Sequence, residues 1–223
     1  MDKRFILSKE QLSTYSDLSN SEWLKIRPSV ISEPPYSAID REKVLKDTFK
    51  VLNRINVKFW LSGGSLLGAI RENEFIAWDG DIDLLMMVED FLPVMHEVKS
   101  RLISEGFVVR LNPSKKFPKA SFFKNGFKVS IGALLKKNKW RIRPLTKCPA
   151  YLFESEEFIE FKNMKFRVPS PVDDYLTHVY GDWRTPNKSS KYNDYINADY
   201  FRSNFFHKQK IQAIQLIKKI LSK

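Results

Sequence analysis

A glycine turn followed closely by three alternating acids is the feature of this sequence that most restricts its fold. The turn lies at residues 63–65 (GGS) and opens a short apolar helix, and Asp79, Asp81 and Asp83 follow at every second position. Because side chains two apart in a strand point to one face, Asp81 and Asp83 place two carboxylates side by side. Such a pair suits Mg²⁺ or Mn²⁺, and the free N–H groups at the helix start suit a phosphate. The stretch therefore predicts a site for a divalent cation and a phosphate.

Composition and charge limit the compartment and the partners. A chain of 223 residues with 43% hydrophobic residues suits one folded domain with a full core. The net charge of +12 favours an acidic partner such as nucleic acid, a nucleotide, an anionic glycan or the cytoplasmic face of a membrane. The single cysteine, Cys148, excludes an internal disulfide and indicates a reducing compartment. Because no stretch has the length of a membrane-spanning helix, we expect a cytoplasmic protein that can touch the inner face of the membrane.

Apolar periodicity predicts alternating helices and strands around the glycine turn. Helices are expected at residues 37–56, from Gly64, at 89–105, at 170–181 and at 203–223. Strands are expected at residues 57–61, 82–88, 107–111, 120–123, 127–135, 154–161 and 164–168. The Asn125-Gly126 pair is a strong signal for a hairpin turn. This mixture predicts an α+β fold.

The chain is expected to form one domain with an N-terminal extension. Prolines interrupt residues 1–36, which we interpret as an arm packed on the domain. Residues 37–223 form the domain itself and end in a basic amphipathic helix. That helix either packs on the domain, which is the favoured interpretation, or lies on an anionic membrane.

Two separated stretches resemble the signature of the LicD/fukutin family. The first covers residues 61–71 (LSGGSLLGAIR) and 75–83 (FIAWDGDID). The second lies far downstream, at residues 166–169 (FRVP), 174–176 (DYL) and 180–183 (YGDW), followed by Pro186. The two matches occur in the family's order and span roughly residues 37 to 188.

The resemblance implies a nucleotidyltransferase fold of the polymerase-β type, with a mixed sheet flanked by helices. Family members transfer a phosphorylated alcohol, such as phosphocholine, ribitol phosphate or glycerol phosphate, from a CDP-linked donor to a sugar. The acceptor is a glycan or a glycolipid of the cell surface, such as lipopolysaccharide, capsule or teichoic acid. By this resemblance Asp81 and Asp83 bind the metal with Asp79 in support, and Gly63 with Gly64 and Ser65 holds the donor phosphates. Nucleic acid is not the expected partner.

Further residues are candidates for substrate contacts. Arg71 would bind a phosphate or brace the acidic loop. Lys119 and Lys128 flank the predicted hairpin and could bind the donor phosphate or an acidic acceptor, and Tyr180 and Trp183 could stack on a base or a sugar or pack in the core. His96, His178 and His207 lack the spacing of a zinc site.

The sequence departs from the family pattern at one chemically important position. The family has a third acid on a later strand, and Ser130 stands about where that acid is expected. Its absence would weaken the metal site, require another base or abolish activity. The alternatives to phosphoalcohol transfer are therefore nucleotidyl transfer to a small molecule or protein, and a degenerate module that binds without catalysis.

Overall fold

The computed structural model describes residues 8–27, 31, 36–112, 114–144 and 146–186 of the chain. Its helices are α1 (Lys9–Asp17), α2 (Asn20–Ile26), α3 (Ala38–Ile55), α4 (Gly63–Arg71), α5 (Val88–Ser104) and α6 (Val172–Tyr180), with a short 3₁₀ helix at Ala150–Phe153. Its strands are β1 (Trp60–Ser62), β2 (Asp81–Met87), β3 (Val108–Asn112), β4 (Lys119–Lys124), β5 (Phe127–Lys137), β6 (Trp140–Arg143), β7 (Thr146–Pro149), β8 (Glu157–Phe161) and β9 (Met164–Val168). The predicted α+β class is confirmed, whereas the helix predicted at residues 203–223 lies outside the described residues.

The strands form one mixed sheet in the order β3-β4-β5-β2-β1-β9-β8. β2 runs parallel to β5 and β1 runs parallel to β9, and the other neighbours along this path are antiparallel. The β6–β7 hairpin continues from β5 and lies off the main path. β2, which carries the acids, is therefore a central strand with β1 on one side and β5 on the other.

Alternation along β2 separates the core from the acids. Ile82, Leu84 and Met86 are buried in the main hydrophobic core, which α3 and α5 complete by packing against the sheet. Successive side chains of a strand point to opposite faces. Asp81 and Asp83 therefore lie on the face away from that core.

Local signals explain why several elements begin and end where they do. Ser37 caps α3 because its hydroxyl accepts the Asp40 N–H at 3.2 Å. Ser19 and Glu22 form a reciprocal capping box at α2. Asn125 and Gly126 both have positive φ in the β4–β5 hairpin, as that tight turn requires. Of these features, the Asn125-Gly126 turn was predicted from the sequence.

Other elements differ from the predictions. The strand expected at residues 57–61 begins only at Trp60, and the β6–β7 hairpin was not predicted at all. Trp140, Arg141, Ile142 and Arg143 alternate between apolar and basic residues, but the strand is only four residues long. It pairs with the end of β5 across the turn at residues 138–139 and so forms a local hairpin.

The N-terminal helices contact the edge of the sheet. The Ser16 hydroxyl accepts the Val109 N–H at 2.9 Å, on edge strand β3. The rings of Trp23 and Phe123 have centroids 4.7 Å apart. Where a domain boundary falls, and whether residues 1–36 form a separate arm, stays a prediction.

The core of α3 provides a direct stability test. Leu45 is fully buried, whereas Ile39 on the same helix is 83% exposed. Leu45→Ala should lower the free energy of unfolding by about 2–5 kcal/mol because it leaves a cavity. Ile39→Ala should change it by less than about 0.5 kcal/mol. Urea denaturation measures both, and equal effects would show that α3 does not pack as described.

Candidate active site

The glycine turn and the acids are in direct steric contact. Gly63 has a φ of +57°, and a Cβ added to it would overlap the Asp83 side chain and lie 2.7 Å from its Cβ atom. A Cβ added to Gly64 would overlap the Asp79 carboxylate. The two glycines therefore admit two carboxylates to the backbone at the start of α4.

Ser65 fixes the position of Asp83 from the same helix. Its hydroxyl oxygen accepts the backbone N–H of Asp83 at 3.1 Å, and the residue is only 2% exposed. The Ser65 side chain therefore joins α4 to β2, and its contact with a donor phosphate stays a prediction. This bond aligns the helix start with the acidic end of the strand.

Hydroxyl side chains flank Asp83 on the neighbouring strands. Asp83 is paired in register with Ser62 of β1 and Ser130 of β5, and Ser130 is paired with Ser121 of β4. Residues directly opposite in adjacent strands share a face. The structure therefore places Ser130 beside Asp83, where the third acid was expected. Ser62 Oγ and Ser130 Oγ are buried without a hydrogen-bond partner among the described residues, so a bound water, ion or ligand would satisfy them.

Burial and the neighbouring negative charges raise the pKa values of two of the three aspartates. Burial raises the pKa of Asp79 to about 7, and the negative charges of Asp81 and Asp83 add to the shift. The pKa of Asp83 is raised to about 6, mainly by burial and then by Asp81, whereas nearby Arg143, Lys128 and Lys119 oppose the shift. The site therefore favours any positive charge that enters it.

Three cations approach the acids from the β4–β7 half of the sheet. Lys128 Nζ lies 2.6 Å from an Asp81 carboxylate oxygen. Burial lowers the pKa of Lys119, and the neighbouring charges of Lys128 and Arg143 lower it further. The Arg143 side chain passes over Gly132 of β5, where an added Cβ would lie 2.8 Å from a guanidinium nitrogen. Lys119 and Lys128 are among the site residues predicted from the sequence, whereas Arg143 is not. The one sequence signal for Arg143 is Gly132, because a glycine within a strand can mark a position where another group packs closely against the backbone.

A buried arginine supports the acidic loop from the opposite side. Arg41 of α3 is 2% exposed and donates to the Ile76 carbonyl at 3.1 Å. Its guanidinium lies over the rings of Phe75 and Tyr36. Burial lowers the pKa of Arg41, and Asp79 is the acid that most opposes this shift. Arg41 is not among the site residues predicted from the sequence. Its position on the apolar stripe of α3 is a signal of a buried charge.

Arg71, Tyr180 and Trp183 attach the downstream family motif at residues 180–183 to the rest of the domain. Arg71 donates to the Trp183 carbonyl at 3.2 Å and pairs with Glu72, so it ties α4 to the chain after α6. Trp183 is 5% exposed within the main core, which agrees with the second of its two predicted roles, packing in the core. Tyr180 is half-buried and packs against the same core. A substrate contact by Arg71 or Tyr180 stays a prediction.

Asp81 and Asp83 fit a hard divalent cation by the chemistry of their donors. Within the described ranges no three His, Cys, Asp or Glu side chains converge as a metal cluster. A cation would thus rest on two carboxylates and on substrate oxygens, which is the usual mode for Mg²⁺. The orphaned hydroxyls and the raised pKa values of Asp79 and Asp83 agree with a place for a cation.

The mixed sheet, the glycine-initiated helix and the carboxylates at the start of β2 define a nucleotidyltransferase-type domain. The family model described as "LicD/FKTN/FKRP, nucleotidyltransferase domain" matches residues 56–171. This match covers slightly more than half of the 223 residues. The chain belongs to the LicD/FKTN/FKRP family.

Curated relatives include bacterial and animal proteins. An uncharacterized protein of Rickettsia prowazekii (strain Madrid E) is 28% identical over 155 residues, which is 66% of this chain and 56% of that protein. The ribitol-5-phosphate transferase FKTN of Homo sapiens is 26% identical over 168 residues, covering 66% of this chain and 34% of FKTN. The human ribitol 5-phosphate transferase FKRP is 52% identical over 40 residues, 18% of this chain and 8% of FKRP. The chain thus spans about half of the Rickettsia protein and less of the other two.

Solved structures of two antibiotic-modifying enzymes are also similar. The lincosamide adenylyltransferase LnuA, with lincomycin bound, has a TM-score of 0.46 and 13% identity, covering 73% of this chain and 96% of LnuA. The enzyme ANT(2")-Ia, in complex with adenylyl-2"-tobramycin, has a TM-score of 0.44 and 12% identity, covering 82% and 99%. Both scores are below 0.5 and carry no weight for function.

The contact between Gly64 and Asp79 predicts an energetic coupling. Gly64→Ala should lower the free energy of unfolding by about 1–3 kcal/mol, because the new methyl group displaces the carboxylate. In an Asp79→Ala background the same change should be neutral or stabilising, since alanine is the better helix residue and the space is open. A double-mutant cycle in urea measures the coupling, and additive effects would contradict the contact.

The raised pKa of Asp79 predicts that stability falls as pH rises. The unfolded chain releases this proton near 3.8 and the folded chain near about 7, so the folded state binds more protons between these values. Asp79→Asn keeps an acceptor oxygen but carries no charge. At about pH 8 the variant should be more stable than the parent by on the order of 2 kcal/mol, and below about pH 4 the difference should vanish. Urea denaturation without divalent cations tests this, and a difference independent of pH would refute it.

Proposed function

We propose that this protein transfers a phosphorylated alcohol from a CDP-linked donor to a sugar hydroxyl of a glycan or a glycolipid. The observation that carries the proposal is the contact of Asp79 and Asp83 with the glycine turn of a LicD-family domain, with Asp81 beside Lys128. FKTN and FKRP are named as ribitol-5-phosphate transferases. Ribitol phosphate is therefore the first alcohol to test, followed by phosphocholine and glycerol phosphate.

The donor diphosphate would bind between the carboxylates and the cations. Asp81 and Asp83 would hold Mg²⁺ or Mn²⁺, which when bound neutralises phosphate charge and draws electron density from phosphorus. Lys119, Lys128 and Arg143 supply fixed positive charge on the same side of the sheet. Charge held in place before the reaction stabilises the transition state without reorganisation.

The reaction forms one bond to phosphorus and breaks another. The sugar hydroxyl oxygen bonds to the phosphorus that carries the alcohol, the bond from this phosphorus to the bridging oxygen breaks, and CMP leaves with that oxygen. The hydroxyl proton is lost to the carboxylates and water of the site. Ser130 provides a neutral hydroxyl where an acid was expected, so Asp81 and Asp83 carry the ionic contacts here.

The location of the acceptor forms part of the same proposal. We expect a sugar on a cell-surface glycan or on a lipid carrier, met at the inner face of the membrane. Among the helices of the described residues, none has the length and apolar character needed to cross a bilayer. A lipid-linked acceptor would then be met by peripheral contact.

Release of CMP from a donor panel tests the reaction. We expect Mg²⁺-dependent CMP release from CDP-ribitol, CDP-choline or CDP-glycerol in the presence of bacterial or animal glycolipid extracts. Asp83→Asn should lower the rate by on the order of 100-fold or more, because it removes ionic charge at the reacting phosphate. Glu160→Gln is the matched control, since Glu160 is exposed on β8 at the far edge of the sheet.

The outcomes separate the proposal from the alternatives. Undiminished CMP release by Asp83→Asn would refute the assigned site. Transfer of label from a nucleoside triphosphate, with no CMP release from any CDP-alcohol, would show nucleotidyl transfer instead. A rise in melting temperature with CDP-alcohols but no turnover would indicate a module that only binds.

A further inference from the structure

The net positive charge of this protein arises from one continuous part of the chain. Residues 106–153 contain 12 lysines and arginines and no aspartate or glutamate. The rest of the chain holds the other 26 basic residues and all 26 acidic residues, so its formal charge is zero. The net charge of +12 therefore belongs to the segment that forms strands β3–β7.

Not all of these charges are available to a partner. Lys124 pairs with Asp47, Lys128 with Asp81 and Arg141 with Glu89. Within the described part of the chain, no ion pair involves Lys136, Lys137 or Lys139, and all three are exposed. These lysines surround the turn between β5 and β6, where Asn138 has a φ of +53°. We call residues 136–140 the basic tip.

Aromatic side chains accompany the basic tip. The Trp140 ring lies under Lys147 Nζ, 4.1 Å from the ring centroid, and Lys139 Nζ lies 5.9 Å from it. The Ala150 N–H donates to the Lys139 carbonyl at 2.9 Å, which holds the 3₁₀ helix against the turn. Tyr151 in that helix is 53% exposed. Lysines together with tryptophan and tyrosine are the composition that proteins present to a membrane interface.

The composition of the tip favours a lipid surface over a nucleic acid strand. The turn between β5 and β6 lies off the main path of the sheet, and its three exposed charges are all lysines. Single-stranded nucleic acid is normally held in a basic groove with stacked aromatic rings, and planar phosphate recognition favours arginine. Lysine point charges beside a tryptophan and a tyrosine instead suit the headgroups of an anionic lipid surface.

The tip is also well separated from the acids. Lys128 and Lys137 lie nine residues apart on β5, which corresponds to at most about 30 Å along an extended strand. Contact at the tip would therefore leave the face with Asp81 and Asp83 uncovered.

We propose that the basic tip docks this protein on an anionic lipid surface, with Lys136, Lys137 and Lys139 against the headgroup phosphates and Trp140 and Tyr151 at the interface. Docking does not require the proposed transferase reaction. It is measured without a CDP-linked donor, so its failure would leave the proposed function untouched.

Vesicle sedimentation with a matched pair of triple variants tests this proposal. The whole protein should bind vesicles of phosphatidylcholine with about 30 mol% phosphatidylglycerol and should not bind phosphatidylcholine alone. The tip variant Lys136→Gln, Lys137→Gln and Lys139→Gln should bind the anionic vesicles about 100-fold more weakly. Added salt should weaken binding of the parent protein.

The control variant changes three exposed lysines elsewhere, Lys43→Gln, Lys50→Gln and Lys58→Gln. The control variant loses the same three positive charges. If its affinity for anionic vesicles falls by less than about threefold, binding depends on the tip rather than on net charge. Melting temperatures equal to the parent would confirm that both triple variants fold, and CMP release from a soluble donor should be unchanged in the tip variant.

Three results would overturn the proposal. These are equal losses in the two triple variants, no preference for anionic vesicles, and tip-dependent binding of single-stranded RNA without vesicle binding. The last result would make nucleic acid the partner of this surface.

Discussion

The site depends on one steric relationship, the close packing of two aspartate side chains against the backbone of two adjacent glycines. Gly63 and Gly64 begin α4, and Asp83 and Asp79 occupy the space where their side chains would otherwise be. Any larger residue at either position would move an acid, and Gly63 also needs its positive φ. The Ser65–Asp83 hydrogen bond then fixes the strand against the helix. The carboxylates also benefit from the positive end of the α4 dipole.

Electrostatic balance is distributed over elements that are distant in the sequence. Arg41 comes from α3, Lys119 from β4, Lys128 from β5 and Arg143 from β6. Each is drawn toward a cluster of acids whose burial raises the pKa of Asp79 and Asp83. At Asp83, Arg143, Lys128 and Lys119 only partly offset the effects of burial and of Asp81, because the pKa shift remains upward. Because negative charge at the site is incompletely compensated, a bound cation would stabilise the ionised aspartates. A divalent cation shared with an anionic substrate would do so as well.

Particular residues show how far sequence reasoning reached. The family resemblance placed a third acid at about Ser130, and the β2–β5 register pairs Ser130 with Asp83. The resemblance also assigned Ser65 to a phosphate, and the structure adds a contact that the sequence did not show, the hydrogen bond from the Asp83 N–H to the Ser65 hydroxyl. The sequence left two roles for Trp183, stacking on a substrate or packing in the core, and its 5% exposure favours packing. Arg143 could not be assigned, since its approach depends on a hairpin that pairs with the end of β5.

The sequence by itself determined the order of elements, the two motifs of the family and the alternation that puts Asp81 and Asp83 on one face. These are local properties, carried by spacing, turn residues and side chains two positions apart. Only the tertiary structure decided which side chains pack against the two glycines, which cations lie near the acids and which aromatic rings are buried. Those outcomes depend on strand register and on contacts between distant segments, and such contacts are not encoded in any one stretch of the chain.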